Sequence, residues 1–331
     1  MDSYYNLKYG TPDYAINEAI INTDIEILES FKNYGSKFNI KQKINIACEY
    51  GCYEVLEWFK NSGYEFKYDE SAINYASLNG HVQVLEWFRN SEYAFKYNRC
   101  AINYASKNGH IQVLEWFKNS DYEFKYDTNA IDYASINGHV QVLEWFKNSG
   151  YEFKYESAIN NASINGHVQV LEWFKNSGYE FKYYYLYTIY KTSENGQIQV
   201  LEWFKNSGYE FKYDEYAINF ASNNGHVQVL EWFKNSGYEF KYNKDAINNA
   251  SKNGHIQVLE WFKNSGYKFK YDKKIFSEYF DNIKILNFCV ENIHLKKVIL
   301  WNHFIRFKIK NKYIFIKFKT KNNYIKGYNK N

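Results

Sequence analysis

The chain has 331 residues, a hydrophobic fraction of 45%, an aromatic fraction of 21% and a formal net charge of +4. That apolar content suits a folded protein, and the absence of any apolar run of about 18 residues argues against a membrane-spanning helix. The charge is uneven: residues 296–331 carry eleven Lys and Arg and no acid, which leaves 30 basic against 37 acidic residues, a net of −7, in residues 1–295. A mildly acidic body argues against nucleic acid as its main ligand and points any such role to the basic tail.

Taken in order, residues 1–13 form a lead-in without an apolar signal region, so a soluble, intracellular protein is expected. Ala15 to Gln42 is a degenerate first repeat, and Lys43 to Ser71 is the second. Regular repeats begin at Ala72, Ala101, Ala130, Ala158, Thr188, Ala217 and Ala246, and an eroded tenth unit follows from Asp281. The tryptophans set the register: Trp58, Trp87, Trp116, Trp145, Trp173, Trp203, Trp232 and Trp261 stand 29, 29, 29, 28, 30, 29 and 29 residues apart. A fixed period of this size means stacked supersecondary units, each burying its apolar face on the next. Residues 14–295 are therefore read as one repeat body and 296–331 as a separate basic, aromatic tail.

Within a unit the pattern predicts two short helices and an extended arm. Ala72, Ile73 and Ala76 make a small-residue helix face that lets a neighbour approach closely. Asn79–Gly80 is a turn. Val82, Leu85 and Phe88 form one apolar face of the second helix and Val84 with Trp87 another, so that helix is sandwiched. Lys147-Asn148-Ser149-Gly150 reads as a helix stop with Gly in the left-handed conformation. Glu92 and Asp121 replace that Gly in two repeats, and strain is expected at Glu92. The arm Tyr151-Glu-Phe153-Lys-Tyr155 alternates aromatic and charged residues, which predicts an extended segment whose charges pair with those of adjacent arms. Thr188 and Thr192 replace the packing alanines and mark that unit as a bend or weak point.

The order A-I-x-x-A-S-x-N-G-H-x-x-V-L-x-W-F-x-x-S-G resembles the ankyrin repeat over about residues 14–295. The resemblance implies an all-α, ankyrin-like helical solenoid of nine or ten units of about 29 residues, joined by short extended or hairpin arms. The T-P-L-H opening of the 33-residue ankyrin unit is absent, which leaves the shape of the arm open. The short, proline-poor units and the Asn/Lys/Ile/Tyr bias resemble the ankyrin-like repeats of giant DNA viruses such as mimivirus. That implies a viral protein acting in host cytoplasm.

Chemistry is hard to place on such a chain. His81, His110, His139, His167, His226 and His255 recur one per repeat. Stacked equivalents sit roughly 8–10 Å apart, too far for one metal, whose bond to an imidazole nitrogen is about 2 Å. They are read as turn residues that bond a neighbouring backbone. Cys48 and Cys52 share a helical face but lack a second ligand pair, and sparse cysteines fit a reducing compartment. Enzymes need one unique constellation, and these residues recur in near-identical settings. No catalytic residue, metal or cofactor is expected.

A protein-binding scaffold is the favoured function. The resemblance implies binding through the concave face formed by first helices and loop tips. Independently, the copies vary at a few positions free of packing constraint. One set is Tyr75, Tyr104, Tyr133, Asn161, Lys191, Phe220 and Asn249; another is Leu78, Lys107, Ile136, Ile164, Asn223 and Lys252; arm tips such as Ser71 and Asp245 vary too. Neutral drift on a solvated face is the competing explanation. A monomer with an unidentified protein partner is expected. The alternative is nucleic-acid or anionic-membrane binding through 296–331, where Lys alternates with aromatics; the alternation around Asn311-Lys312 hints at a β-hairpin, with a disordered solubilising tail or an eroded end cap as equal alternatives. A purely structural role produced by recent duplication is the third possibility.

Overall fold

A computed structural model of the chain describes residues 12–272, together with three strands at 305–309, 312–318 and 325–329. Among the described residues the repeats form eighteen short helices in nine pairs. The first pairs are Pro12–Ile21 with Ile25–Asn33, Ile40–Tyr50 with Tyr53–Asn61, and Glu70–Leu78 with Val82–Asn90. Then come Cys100–Lys107 with Ile111–Lys118, Asn129–Ile136 with Val140–Ser149, and Ala158–Asn165 with Val168–Ser177. The last are Tyr185–Glu194 with Ile198–Ser207, Glu215–Asn223 with Val227–Asn235, and Lys244–Lys252 with Ile256–Asn264. The eroded tenth unit from Asp281 lies outside the described residues.

Described residues fall into two compact units, one running to Thr188 and including Gln199–Glu210, the other holding Ile189–Ile198 and everything from Phe211. The boundary lies inside the irregular repeat. Within each unit, first helices press closely on the first helices of neighbouring repeats, while second helices touch one another far less. Alanine explains the difference. Ala72, Ala76, Ala101, Ala105, Ala130 and Ala134 are all fully buried, and their small side chains let the helix backbones approach.

Each second helix buries three apolar side chains, Val84, Leu85 and Phe88 in one copy and Val113, Leu114 and Phe117 in the next. Val82 is only half-buried, because as the first residue of its helix it lies at the rim. Burial of such side chains stabilises by roughly 1.5–3 kcal/mol each, which nine-residue helices of this composition need, since alone they would not form.

The turn and stop signals act as expected. Gly80 between paired helices has φ +79° and Gly150 after a second helix has φ +86°. The strain expected at Glu92 is not present, because neither Glu92 nor Asp121 adopts positive φ. The chain reroutes instead: the Glu92 copy ends its helix at Asn90 with Ser91 extended, and the Asp121 copy stops at Lys118. The N-terminal helix starts at Pro12, since proline at a first helical position loses no hydrogen bond.

Arms carry no helix or strand among the described residues from 12 to 272. An arm's Glu and Lys, two apart, pair within the arm, Lys154–Glu152 at 3.1 Å and Lys182–Glu180 at 2.7 Å. Charges just past the arm pair between repeats, Arg99–Asp127 at 3.1 Å and Lys244–Asp272 at 2.9 Å. Across arms the lysine covers a ring: Lys96 Nζ lies 4.5 Å above the Tyr68 ring centroid and Lys270 Nζ 4.1 Å above that of Tyr242. The aromatic side fills the space between second helices. Phe124 stacks on Tyr151 at 4.2 Å and on Trp145 at 5.5 Å, with its edge to Phe146. Tyr126 Oη donates to the Glu152 carbonyl at 2.5 Å, and Tyr155 repeats this on Glu180.

The described repeats are all-α, as expected. In the tail, Ile305–Ile309 pairs antiparallel with Lys312–Phe318, the hairpin among the alternatives for this segment, and a third strand, Ile325–Asn329, adds to Lys312–Phe318.

Candidate functional site

The first helices position the candidate residues. Tyr75 is flanked by buried Asn74 and Ala76 and is itself 37% exposed, so each first helix offers one half-open position between two packed ones. Tyr104, Tyr133, Asn161, Lys191, Phe220 and Asn249 occupy the same place and are half-buried. One turn on, Leu78, Ile136, Ile164 and Asn223 are half-buried, while Lys107 and Lys252 are exposed.

Three tyrosines stand in a row: Tyr75, Tyr104 and Tyr133 occupy the same place on first helices that pack side by side in three successive repeats. The Tyr104 phenol is pushed up, first by the Cys100 thiol one turn before it and then by burial. In the second unit, Phe220 stacks on Tyr190 at 5.3 Å, and Lys191 Nζ lies 5.4 Å over Tyr190 and 6.0 Å over Phe220. Lys191 is engaged further by an ion pair with Glu194. Asn223 is tied down as well, accepting Asn253 Nδ2 on Oδ1 at 3.0 Å and donating to Asn224. Variability at Lys191 and Asn223 therefore does not mean freedom from contacts.

What holds these helices in line is a device the sequence reading passed over. The Asn of each A-I-N triplet reaches the next repeat: Asn103 Nδ2 donates to Asp127 Oδ1 at 2.7 Å, and Asn248 Nδ2 to Asp272 at 3.1 Å. Return bonds come from backbone, Asp272 N to Asn248 Oδ1 at 3.0 Å. Where the next repeat has Glu156 at the bridging position, the triplet carries Asp132 instead, which accepts the N–H groups of Glu156 and Ser157. Asp132 is only 7% exposed, and burial raises its pKa against those hydrogen bonds. The fixed spacing of 24 residues was the available signal. A groove beside one bridge is lined by Asp69, Ser71, Asn74 and Asn98, which places the variable arm tip Ser71 at its wall.

The histidines do what the turn reading expects. His81 Nε2 lies 2.9 Å from the Glu49 carbonyl oxygen and His167 Nε2 2.7 Å from that of Ile136, so Nε2–H donates to the repeat before. Burial lowers the pKa of His110 and His139, which keeps the imidazole neutral. Each ring lies against the turn glycine of the preceding repeat. A Cβ on Gly109 would come 2.9 Å from His139 Nδ1 and one on Gly80 2.7 Å from His110 Nδ1. The turn glycine is needed twice over, for its positive φ and for the space its neighbour's histidine takes.

The tryptophans are half-buried, and their indoles are polar links. Trp87 Nε1 donates to Glu57 at 2.9 Å, Trp116 to Glu86 at 2.9 Å, Trp173 to Glu144 at 2.7 Å and Trp261 to Glu231 at 2.7 Å. The same glutamates accept Asn90 or Asn148 from one turn later. These bonds hold the Glu57, Glu86, Glu144 and Glu231 carboxyls below the usual range, the indole being the largest cause. Core packing explains the Phe beside each Trp, not the Trp. The glutamate before each Trp is a structural acceptor.

Among the described residues no group of three or more His, Cys, Asp or Glu comes together in a way that would hold a metal ion. Nor, among them, is any helix long and apolar enough to cross a membrane. Cys48 is buried in apolar surroundings that raise its thiol pKa well above the ordinary value, and Cys52 is raised as well. Both are poor nucleophiles. Compared with known proteins, residues 44–89 match the family model described as ankyrin repeats in many copies. No curated protein matches the chain. Paired short helices, the N-G-H turn and that match make the repeat region an ankyrin-like helical solenoid.

Proposed function

We propose that the repeat region is a non-catalytic scaffold that binds a protein partner along its first helices. The supporting observation is the Tyr75–Tyr104–Tyr133 row: three large amphipathic side chains, partly open, mounted on first helices that pack closely on one another. Tyrosine contributes contact area at low entropic cost and carries a polar tip, which is why it recurs in protein-binding surfaces. Leu78, Lys107, Ile136, Asn161 and Ile164 border this row in the first unit. Phe220, Asn223, Asn249 and Lys252 form the corresponding row in the second, with Lys191 contributing through its cover of Phe220. Short proline-poor units and the compositional bias support the narrower reading of a monomeric viral protein that engages a host factor.

The test is recovery of a protein by the full chain from cell extract, compared with the Tyr75→Ala/Tyr104→Ala/Tyr133→Ala variant. Loss of a partner with an unchanged thermal melting curve is expected. Retention of every partner by the triple variant, with loss on charge reversal of Glu144 and Glu172 on the second helices, would move the site elsewhere.

A further inference from the structure

The tail's strand register sorts its residues in a way that composition alone does not. Ile305 pairs with Ile316, Phe307 with Ile314, and Phe318 with Ile325. Because a strand alternates faces, these residues and Ile309 fall on one side of the sheet, joined at its margins by Lys312 and Asn329. Arg306, Lys308, Tyr313, Phe315, Lys317, Lys326 and Tyr328 fall on the other. That second face holds four cations, three aromatics and no acid.

Its arrangement is ordered. Arg306, Phe315 and Tyr328 stand in one row across the three strands, and Lys308 is opposite Tyr313. Tyr313 lies about 7 Å along the strand from Phe315, and Tyr328 about 5 Å across. Lys317 directly opposes Lys326. A like-charge cross-strand pair costs stability, so the sheet by itself gives no reason for it; an anion over the pair would offset the repulsion.

We propose that this face binds single-stranded nucleic acid, with bases stacked on Tyr313, Phe315 and Tyr328 and phosphates met by Arg306, Lys308, Lys317 and Lys326. Aromatic platforms set among cations are how sequence-tolerant single-strand binders work. An anionic membrane fits the placement less well. The apolar face would have to enter the lipid, and four of the five strand cations, all but Lys312, stand on the opposite side from it. The acidic balance of residues 1–295 keeps a polyanion to the tail, and this inference stands apart from the scaffold reading.

Binding of the full chain to labelled oligouridylate and oligothymidylate, followed by fluorescence anisotropy over a salt series, tests the idea. An abasic phosphodiester polymer of equal length and phosphatidylserine vesicles serve as the other arms. Both oligonucleotides, or one if the sugar is read, are expected to bind at least tenfold tighter than the abasic polymer. Phe315→Leu/Tyr328→Leu, which keeps apolar bulk in the strands, is expected to weaken binding about tenfold or more. Phe315→Tyr/Tyr328→Phe, which keeps both rings, retains it. Lys317→Gln/Lys326→Gln lowers the slope of log K against log salt by about 1.4. Equal affinity for the abasic polymer, indifference to the leucine pair, or binding to vesicles alone would overturn the proposal.

Discussion

His110 and His139 each serve two repeats, opening their own second helix while bonding the carbonyl of the repeat before. Because burial depresses their folded-state pKa, the stability they contribute is present above the unfolded value of about 6.5 and lost as pH falls through the folded value. The carboxyls held low by tryptophan follow the same sign but in a lower window, beginning near their own unfolded value of about 4.3. Melting temperature should therefore start to fall as pH drops from about 7.5 to about 5.5. The double variant His110→Gln/His139→Gln, which copies Gln197 of the irregular repeat, should flatten that first limb. An unchanged slope would mean the histidines do not set it.

A second case at this scale is Lys43, which stands where other repeats have the leading alanine. Its side chain is fully buried, with Nζ 2.5 Å from both Asp13 and Asn17, yet Asp13 is 64% exposed. The two partners are therefore not equivalent. Asp13→Ala strands a buried cation and should cost about 3–5 kcal/mol. Lys43→Ala leaves an aspartate that water can solvate and restores the usual residue, so its cost should be smaller. Chemical denaturation of the two variants compares them directly, and equal losses would show that the pair acts by packing alone.

At the scale of the element, the second helices are joined by polar links more than by close approach of their backbones. Trp116→Phe keeps the ring but removes the indole donor to Glu86. The expected loss is about 1 kcal/mol, the lower end for a bond to a charged group because the carboxylate is partly solvated. A double-mutant cycle with Glu86→Gln should show coupling of several tenths of a kcal/mol. The arms add aromatic pairs worth about 0.5–1.5 kcal/mol each, such as Phe95 on Tyr122 at 4.1 Å and Phe153 on Tyr179 at 4.2 Å. Among the described arm residues no strand pairing occurs; side chains carry the arm-to-arm contacts.

Across the whole molecule the irregular repeat stands out. Thr188 and Thr192 are fully buried where other copies have alanine. Thr188 finds a partner in Asn160 Oδ1 at 2.5 Å, but the Thr192 hydroxyl has none. In the same repeat Tyr190 takes the place of the bridging Asn, and the boundary between the compact units falls there. In a stacked array each repeat is stabilised only by its neighbours, so a weak interface becomes a site of local opening. Amide exchange should be faster over residues 188–198 than over 217–227. Thr192→Ala should slow it and add about 1–3 kcal/mol by removing an unpaired buried hydroxyl. Exchange no faster there than in flanking repeats would refute the weakness.

The sequence by itself determined the repeat, its helix pair and its turns. The reasons are local: alternating small and large apolar residues at helical spacing, and Gly where φ must be positive. The variable first-helix row was legible for the same reason, since Tyr75 stands between two packing residues. Only the tertiary structure decided how one repeat holds the next. The Trp116–Glu86 link, the Asn103–Asp127 bridge and the His139–Gly109 contact each join residues 24 to 30 positions apart. Period and propensity describe a unit within itself and say nothing of which polar atoms meet across a stack. The tail divides the same way: alternation hinted at its hairpin, but the third strand and the face shared by Arg306, Lys308, Tyr313, Phe315, Lys317, Lys326 and Tyr328 depend on register, which non-local pairing alone sets.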